Sequence, residues 1–324
     1  MERLHGTGMA VATVDDAGER GEVPGLHERI RRFVAGASFE MSANDLAGLE
    51  AARPLLAPGT IVAITWLPKE TQDSHDARVA AALALRNAGF DPMPHIAARR
   101  LRSRDELDRL LGRLANEAGV RRAFLIGGDV KQADGPYASS LDALRSGLFE
   151  RHGFRGIGIA GYPEAHPSIA PGLLASDTAA RIATALEVGL DPTIVTQFCF
   201  DAAPILDWTR RLRRTQPGLP VRIGLAAPAS VRTLIRFAAI CGLGASAKAL
   251  IGRGASITRL LTEAGPEPVI RDLLAAPIAA LGPVALHLFP FGGLQRAARW
   301  ANAVARGAFT LSNSEVGFRV TREP

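Results

Sequence analysis

The sequence predicts an α/β fold, a single (β/α)8 TIM barrel. Eight short apolar runs alternate with amphipathic segments over most of the 324 residues, and polar or ionisable side chains follow the ends of several runs. No Gly-x-Gly-x-x-Gly motif follows the first run, which argues against the doubly wound sheet that is the main alternative. The predicted strands are 35–40, 60–65, 92–96, 123–127, 156–160, 193–198, 221–225 and 284–288.

Helices are predicted between the strands, where apolar residues recur at three- and four-residue spacing. Ser103 and Glu106 have the spacing of a capping box at the start of one helix. Gly89, Gly119 and Gly189 follow helices at positions where a left-handed cap is expected. The predicted helices are 73–87, 103–115, 140–150, 175–188 and 203–214.

The composition shows no break that would mark a second domain. Residues 1–24 are rich in Gly and Asp and predict a flexible leader, followed by one catalytic barrel domain over 25–324. The longest connection, 242–281, separates the last two predicted strands and is expected to be largely helical.

The charge is basic, with a formal net value of +6, and almost all of the cations are Arg. Arg pairs at 99–100, 121–122, 210–211 and 213–214 lie beside or within predicted helices. A nucleic-acid site would need such cations interleaved with stacking aromatic residues, and that pattern is missing. We interpret the pairs as solvated helix faces and predict no nucleic-acid partner, while a small polyanionic ligand stays compatible with the charge.

Cys199 and Cys241 are the only cysteines, and their apolar surroundings predict buried thiols in a reducing compartment. No apolar run approaches membrane-spanning length, and the N-terminus lacks the apolar core of a signal peptide. We therefore expect a cytoplasmic protein with no membrane partner.

Ionisable and aromatic residues at the predicted strand ends are expected to face one cleft. The stretches GYPEAHP (161–167) and TQFCFD (196–201) carry many of them, and Glu40 ends the first strand. A metal set of Glu40, His95, Asp129 and His166 lacks local ligand spacing, so no metal is predicted. The sequence has neither a Ser-centred elbow nor a paired Cys and His for nucleophilic catalysis.

Seven motifs in chain order resemble the methylenetetrahydrofolate reductase family, in its bacterial catalytic-domain form. The resemblance runs from about Ser38 to Ala303. The motifs are SFE (38–40), AIT (63–65), PHIAARR (94–100), GGD (127–129) with PYAS (136–139), GYPEAHP (161–167), TQFCFD (196–201) and the segment 234–238.

The resemblance implies an oxidoreductase of one-carbon metabolism and methionine biosynthesis that carries FAD. Hydride would pass from NADH or NADPH through FAD to 5,10-methylenetetrahydrofolate, giving 5-methyltetrahydrofolate. Glu40 corresponds to the general acid that opens the five-membered ring, and Asp129 to the aspartate near the flavin. Because Phe39 and Met41 flank Glu40, we expect burial to raise its pKa.

The remaining site residues are also implied by the resemblance. Gln197, Phe237 and Thr233 correspond to substrate-binding positions. Tyr137 and Tyr162, the only tyrosines, both fall on flavin positions. The full set of expected flavin-binding residues is Thr65, His95, Gly128, Asp129, Tyr137, Ala138, Tyr162, His166 and Asp177.

Several departures from the family pattern leave alternatives open. Gly127 replaces an arginine, the lysine expected before TQF is absent, and the turn after the last strand lacks another arginine. These losses concern the phosphate half of the FAD site and the folate tail. The alternatives are a flavin-independent reductase with direct transfer from NADH and a folate-binding barrel without redox activity. The direction of the reaction and a homo-oligomeric state are left open.

Overall fold

The computed structural model describes residues 25–67, 74–166, 168–243, 262–275, 281–311 and 317–321. Eight parallel strands form a barrel: β1 (Ser38–Ser42), β2 (Ile61–Thr65), β3 (Asp91–Ala97), β4 (Arg122–Ile126), β5 (Gly156–Gly161), β6 (Asp191–Thr196), β7 (Val221–Ala226) and β10 (Val284–Phe289). They close in the order β1-β10-β7-β6-β5-β4-β3-β2, which confirms the predicted (β/α)8 TIM fold.

Helices surround the barrel, and two short antiparallel pairs lie outside it. The pairs are β8 (Ala229–Ser230) with β9 (Glu263–Ala264) and β11 (Phe309–Thr310) with β12 (Arg319–Val320). The helices are α1 (Leu26–Ala35), α2 (Leu46–Ala52), α3 (Ser74–Asn87), α4 (Arg104–Glu117), α5 (Ser140–Leu144), α6 (Leu148–Arg151), α7 (Pro171–Glu187), α8 (Ala202–Arg213), α9 (Val231–Ile240), α10 (Glu267–Ala275) and α11 (Leu294–Ala305). No helix in these ranges is long and apolar enough to cross a membrane.

The predicted strand and helix boundaries agree with the structure to within a few residues, apart from two differences that have a structural cause. The first strand starts at Ser38 because α1 continues to Ala35. The predicted helix 140–150 is two helices, because Gly147 has φ +73 and interrupts the helical backbone. The leader 1–24 lies outside the described residues, as do 244–261 and 276–280 of the long connection, whose described part contains β9 and α10.

Both faces of the barrel strands are buried, as expected of a parallel sheet. The inward faces of four strands contribute Ala63, Met93, Phe124 and Val195 to a small cluster inside the barrel. The outward faces pack against the helices in a larger core. Side chains alternate between the two faces along each strand, so position along a strand decides which residues can reach the interior.

Charged side chains meet at the N-terminal end of the barrel. Asp91 accepts hydrogen bonds from Arg86 at 3.1 Å and from Arg122 Nε at 2.7 Å. Arg222 is buried nearby, and its burial, together with the Arg122 charge, lowers its pKa to about 10. Asp91 therefore offsets several positive charges at the end of the barrel opposite the predicted site.

Replacing Asp91 with Asn should lower the free energy of unfolding by about 1–3 kcal/mol, because two partly buried guanidinium groups lose their carboxylate. Urea unfolding at pH 7 measures the change. Asp207→Asn is the matched control, since its pair with Arg210 is exposed and should contribute less than about 0.5 kcal/mol. Equal effects of the two substitutions would contradict this account.

Candidate active site

A cavity of about 710 Å³ opens at the C-terminal ends of the barrel strands. Parallel strands bring their carboxyl ends to one face, and in TIM barrels that face carries the active site. Aromatic side chains form much of the lining: Trp66, Phe124, Tyr162, Phe198, Phe237, Phe289 and Phe291. A cavity of this size and character suits a flat organic ligand.

Glu40 lies at the base of this cavity because strand β1 alternates its side chains. Phe39 and Met41 face the helices in the outer core, while Glu40 faces the barrel interior and is only 7% exposed. Its neighbours are therefore inward-facing side chains of other strands, His95 from β3 and His287 from β10.

The Glu40 carboxylate contacts both imidazoles through one oxygen. His287 Nε2 is 3.3 Å from Glu40 Oε1, and His287 Nδ1 is 2.8 Å from Ser38 Oγ. A carboxylate can only accept, so a neutral His287 donates from Nε2 and its Nδ1 accepts from the Ser38 hydroxyl. His95 Nε2 is also 3.3 Å from Oε1, but the contact lacks hydrogen-bond geometry, and this buried nitrogen has no hydrogen-bond partner.

These contacts overturn the expected pKa of Glu40. Burial acts to raise it, but hydrogen bonding from His287 and the contact with His95 outweigh burial and lower the pKa of Glu40 to about 2. Burial also lowers the pKa of His287. The expected rise in the pKa was wrong because the interactions with the two histidines outweigh the burial on which the expectation relied. At neutral pH the pair is an ionised Glu40 and a neutral His287.

Gln197 lies on the rim of the same cavity, just beyond the end of β6. Its backbone N–H donates to Gly161 O at 2.8 Å, and its side-chain Oε1 accepts from Phe198 N–H at 3.1 Å. The side-chain oxygen is therefore used locally. The NH2 group has two N–H donors, of which one can bond the Cys241 thiol and the other is available to a ligand.

An aromatic wall closes the side of the cavity between β6, β10 and α9. Phe237 and Phe291 stack with ring centroids 4.1 Å apart and an interplanar angle of 15°. Phe198 packs edge-on against Phe291 at 4.9 Å. These rings offer flat apolar surface to a ligand that can stack.

The structure brings six of the predicted site residues to this cavity and leaves seven outside its lining. Those inside are Glu40, Thr65, His95, Tyr162, Gln197 and Phe237. Those outside are Gly128, Asp129, Tyr137, Ala138, His166, Asp177 and Thr233. Most of the residues outside the lining belong to the chain segment from the loop after β4 to the first turns of α7. This segment is at the same mouth of the barrel but beyond the cavity.

The charged residues of the outer group are engaged with neighbouring arginines. Asp129 accepts a hydrogen bond from Arg100 Nε at 2.6 Å, which lowers the pKa of Asp129. Asp177 pairs with Arg181 one turn along α7. Gly128 has φ +96, a backbone conformation that favours glycine.

The other outer residues have structural contacts. Tyr137 is buried in the core between strands and helices, its hydroxyl has no hydrogen-bond partner, and burial raises its pKa. His166 packs edge-on against Tyr162, with ring centroids 5.0 Å apart. Thr233 lies in the first turn of α9, where Ser230 Oγ caps its backbone N–H.

His287 is the residue of the site that the sequence reasoning missed. It lies within the apolar run 284–289, which predicts a buried strand and gives no separate indication of a functional histidine. The alternation of side chains along this strand could have identified it. Leu286 and Leu288 on either side belong to the outer core, and His287 therefore faces inward.

The cavity has the features needed to hold a flat heteroaromatic ring. Trp66 Nε1 and His95 Nε2 are buried polar atoms without hydrogen-bond partners, and both residues line the cavity. No Lys or Arg is among the described residues of the lining, so a diphosphate has no cation there. Among the described residues, no group of three or more His, Cys, Asp or Glu could hold a metal ion.

The chain is similar to one protein family and to two solved structures. The family model described as methylenetetrahydrofolate reductase matches residues 49–251. The chain is similar in structure to an uncharacterized protein from Clostridium thermocellum that binds two copies of 5-methyl-5,6,7,8-tetrahydrofolic acid, at 10% identity and a TM-score of 0.54, covering 87% of this chain and 99% of that one. It is also similar to Yersinia pestis DHPS with a pterine-sulfa conjugate, at 11% identity and a TM-score of 0.44, covering 83% and 92%. At 10% identity, the similarity to the Clostridium thermocellum protein shows a similar fold and no more.

The contacts of Glu40 predict a pH dependence of stability. Because its folded pKa is below the unfolded value of 4.5, the carboxylate stabilises the fold above pH 4.5 and loses that contribution as the pH falls towards 2. The stability advantage of the wild type over Glu40→Gln should therefore shrink by about 1 kcal/mol between pH 6 and pH 3.5. Urea unfolding of both proteins at both pH values measures it. An advantage that stays constant or grows on acidification would contradict the ionised state.

Proposed function

The chain belongs to the methylenetetrahydrofolate reductase family, and from that premise we propose that it interconverts 5,10-methylenetetrahydrofolate and 5-methyltetrahydrofolate by hydride transfer. The observation that carries the proposal is the contact of the Glu40 carboxylate with two histidines at the base of an aromatic cavity that Gln197 also lines. The folate bound by the Clostridium thermocellum protein is consistent with a folate ligand on this fold.

The cavity supplies recognition for a pterin ring. The NH2 group of Gln197 can donate to ring acceptors, and the unpartnered Trp66 Nε1 and His95 Nε2 supply further polar contacts. The stacked rings of Phe237 and Phe291 give an apolar wall beside these groups. The ligand would thus be oriented by a few polar atoms within a mostly apolar site.

Glu40 transfers the proton to and from the folate. In the reducing direction, breaking the bond between the methylene carbon and N10 leaves N10 in need of a proton and gives an iminium at N5. In the oxidising direction, N10 attacks that iminium carbon and releases the proton. The ionised carboxylate stabilises the cationic iminium in both directions and accepts the N10 proton on ring closure.

The reducing direction requires the carboxylate to be protonated first. His95 Nε2 lowers the pKa of Glu40, and it is the contact without hydrogen-bond geometry. A ligand that accepts a hydrogen bond from His95 removes part of that effect, and its bulk excludes water from the carboxylate. Both changes raise the pKa of Glu40 in the complex and make it a better acid. His287, held by Ser38, keeps the carboxylate oriented throughout.

The residues of this chain fit the ring end of FAD and its phosphate end differently. Thr65, His95 and Tyr162 line the cavity and would hold the ring, where FAD when bound supplies a two-electron carrier between NAD(P)H and the folate. The expected flavin positions Gly128, Asp129 and Asp177 are outside the cavity lining, so they would contact only parts of the group that extend beyond the cavity. The arginines there already pair with Asp129 and Asp177.

A second candidate is a reductase that transfers hydride directly from the nicotinamide to the folate. It is favoured by the expected flavin residues Asp129, Tyr137 and His166, which lie outside the described cavity lining. In direct transfer, Glu40 and Gln197 keep the roles described above, while Tyr137 and His166 contribute only to the packing of the fold.

The absorption spectrum of the purified protein separates the two candidates. A flavin-containing protein should absorb at about 450 nm, and NADH should bleach that band before methylenetetrahydrofolate restores it. A colourless protein that still oxidises NADH with the folate would select direct transfer. Folate binding with no oxidation of NADH would leave only a binding role.

Substituting Glu40 with Gln should reduce turnover with the folate by about 100-fold or more, because the amide cannot exchange the N10 proton. Oxidation of NADH by an artificial acceptor should be largely retained if flavin is present. Glu50→Gln, on the exposed face of α2, is the matched control and should keep full activity. Unchanged folate turnover in Glu40→Gln would remove this residue from the mechanism.

A further inference from the structure

Cys241 lies at the C-terminal end of α9 and lines the active-site cavity. The sequence predicts buried thiols for both cysteines, but only Cys199 is buried, and Cys241 is half-buried. Neither the proton transfer nor the hydride transfer of the proposed reaction needs a thiol. Any role of Cys241 must therefore come from the residues that it contacts.

The end of α9 holds Cys241 in place. Its backbone N–H donates to Phe237 O at 2.9 Å, and Leu243 N–H donates to Ala238 O at 2.9 Å. Gly242 between them has φ +70, the left-handed conformation that commonly ends a helix. Because Phe237 and Cys241 are four residues apart, their side chains lie on the same face of the helix, and both line the cavity.

The Cys241 thiol interacts with the side chain of Gln197. The NH2 group of Gln197 donates to the sulfur, an interaction that acts to lower the pKa of the thiol. Burial and the nearby Glu40 charge act more strongly in the opposite sense, and the pKa of Cys241 is raised. At neutral pH the group is therefore an uncharged thiol whose sulfur is a weak acceptor.

Both ends of the Gln197 amide are thus engaged. A free glutamine amide can exchange its oxygen for its nitrogen by a rotation of about 180°. In Gln197, Phe198 N–H donates to Oε1 at 3.1 Å, while the NH2 group faces the Cys241 sulfur. Rotation would lose both interactions, because NH2 would then face another N–H donor. The second N–H of the amide is the donor left for a ligand.

We propose that Cys241 is a positioning residue, which holds the Gln197 amide in the orientation that presents an N–H donor to the cavity. The proposal rests on the proposed function, in which the ligand is the pterin ring of a folate. A tetrahydropterin has a carbonyl oxygen and a ring nitrogen as acceptors, next to several N–H donors. A fixed amide therefore selects the edge of the ring that faces Gln197, and the thiol acts through that amide.

A double-mutant cycle on binding tests the link between the two residues. 5-Methyltetrahydrofolate is titrated calorimetrically into the full-length wild type, Cys241→Ala, Gln197→Ala and the double variant. Cys241→Ala should weaken binding about fivefold, as expected for one neutral hydrogen bond. In the Gln197→Ala background the same substitution should change the affinity by less than about twofold, because no amide remains to be positioned.

Two further variants separate positioning from a general loss of structure. Ile240→Ala, at a position that is 70% exposed and directly precedes Cys241, is the matched control and should bind the folate as the wild type does. Cys241→Ser keeps an acceptor and should lose less affinity than Cys241→Ala. In turnover, Cys241→Ala should raise KM for the folate and leave kcat within about twofold of the wild type.

The outcomes distinguish this proposal from the proposed function. No loss in Cys241→Ala, a loss that persists in the Gln197→Ala background, or an equal loss in Cys241→Ser would overturn the positioning role and leave folate binding intact. If the wild type binds no folate, the proposed function fails, and the NH2 protons of Gln197 then test the contact by NMR. They should exchange with water at least about threefold faster in Cys241→Ala than in Ile240→Ala. Equal exchange in the two variants would overturn the proposal.

Discussion

The contact of the Glu40 carboxylate with two imidazoles is the interaction on which the chemistry of the cavity depends. A carboxylate this deeply buried would ordinarily hold its proton, because the charged form loses its hydration. His287 and His95 replace that hydration and leave Glu40 ionised. The carboxylate favours the tautomer of His287 with its proton on Nε2, and the Ser38 hydroxyl contacts the other ring nitrogen. The acid–base behaviour of the site is therefore set by three strands together.

The barrel makes this contact through the alternation of its strands. Residues on one face of β1, β3 and β10 meet inside the barrel, although they are far apart in the sequence. The same alternation sends Phe39 and Met41 outward to support the strand. Stability and chemistry are thus assigned to opposite faces of a single strand.

Charge is distributed unevenly over the mouth of the barrel. The described cavity lining carries the carboxylates of Glu40 and Asp45 and several aromatic rings but no Lys or Arg. On the side of β3 and β4, beyond this lining, Arg100 is paired with Asp129.

The sequence alone determined the fold and the family, because both depend on local patterns. Strand and helix periods, capping residues and short motifs in order can be read without knowing which residues touch. It also brought Glu40 and Gln197 to one cavity, although Glu40 lies in the middle of β1 and not at its end as predicted. Only the tertiary structure decided the ionisation of Glu40, the part played by His287 and the separation of Asp129 from the cavity. Those properties arise from contacts between distant strands and from loop packing, which the order of residues does not encode locally.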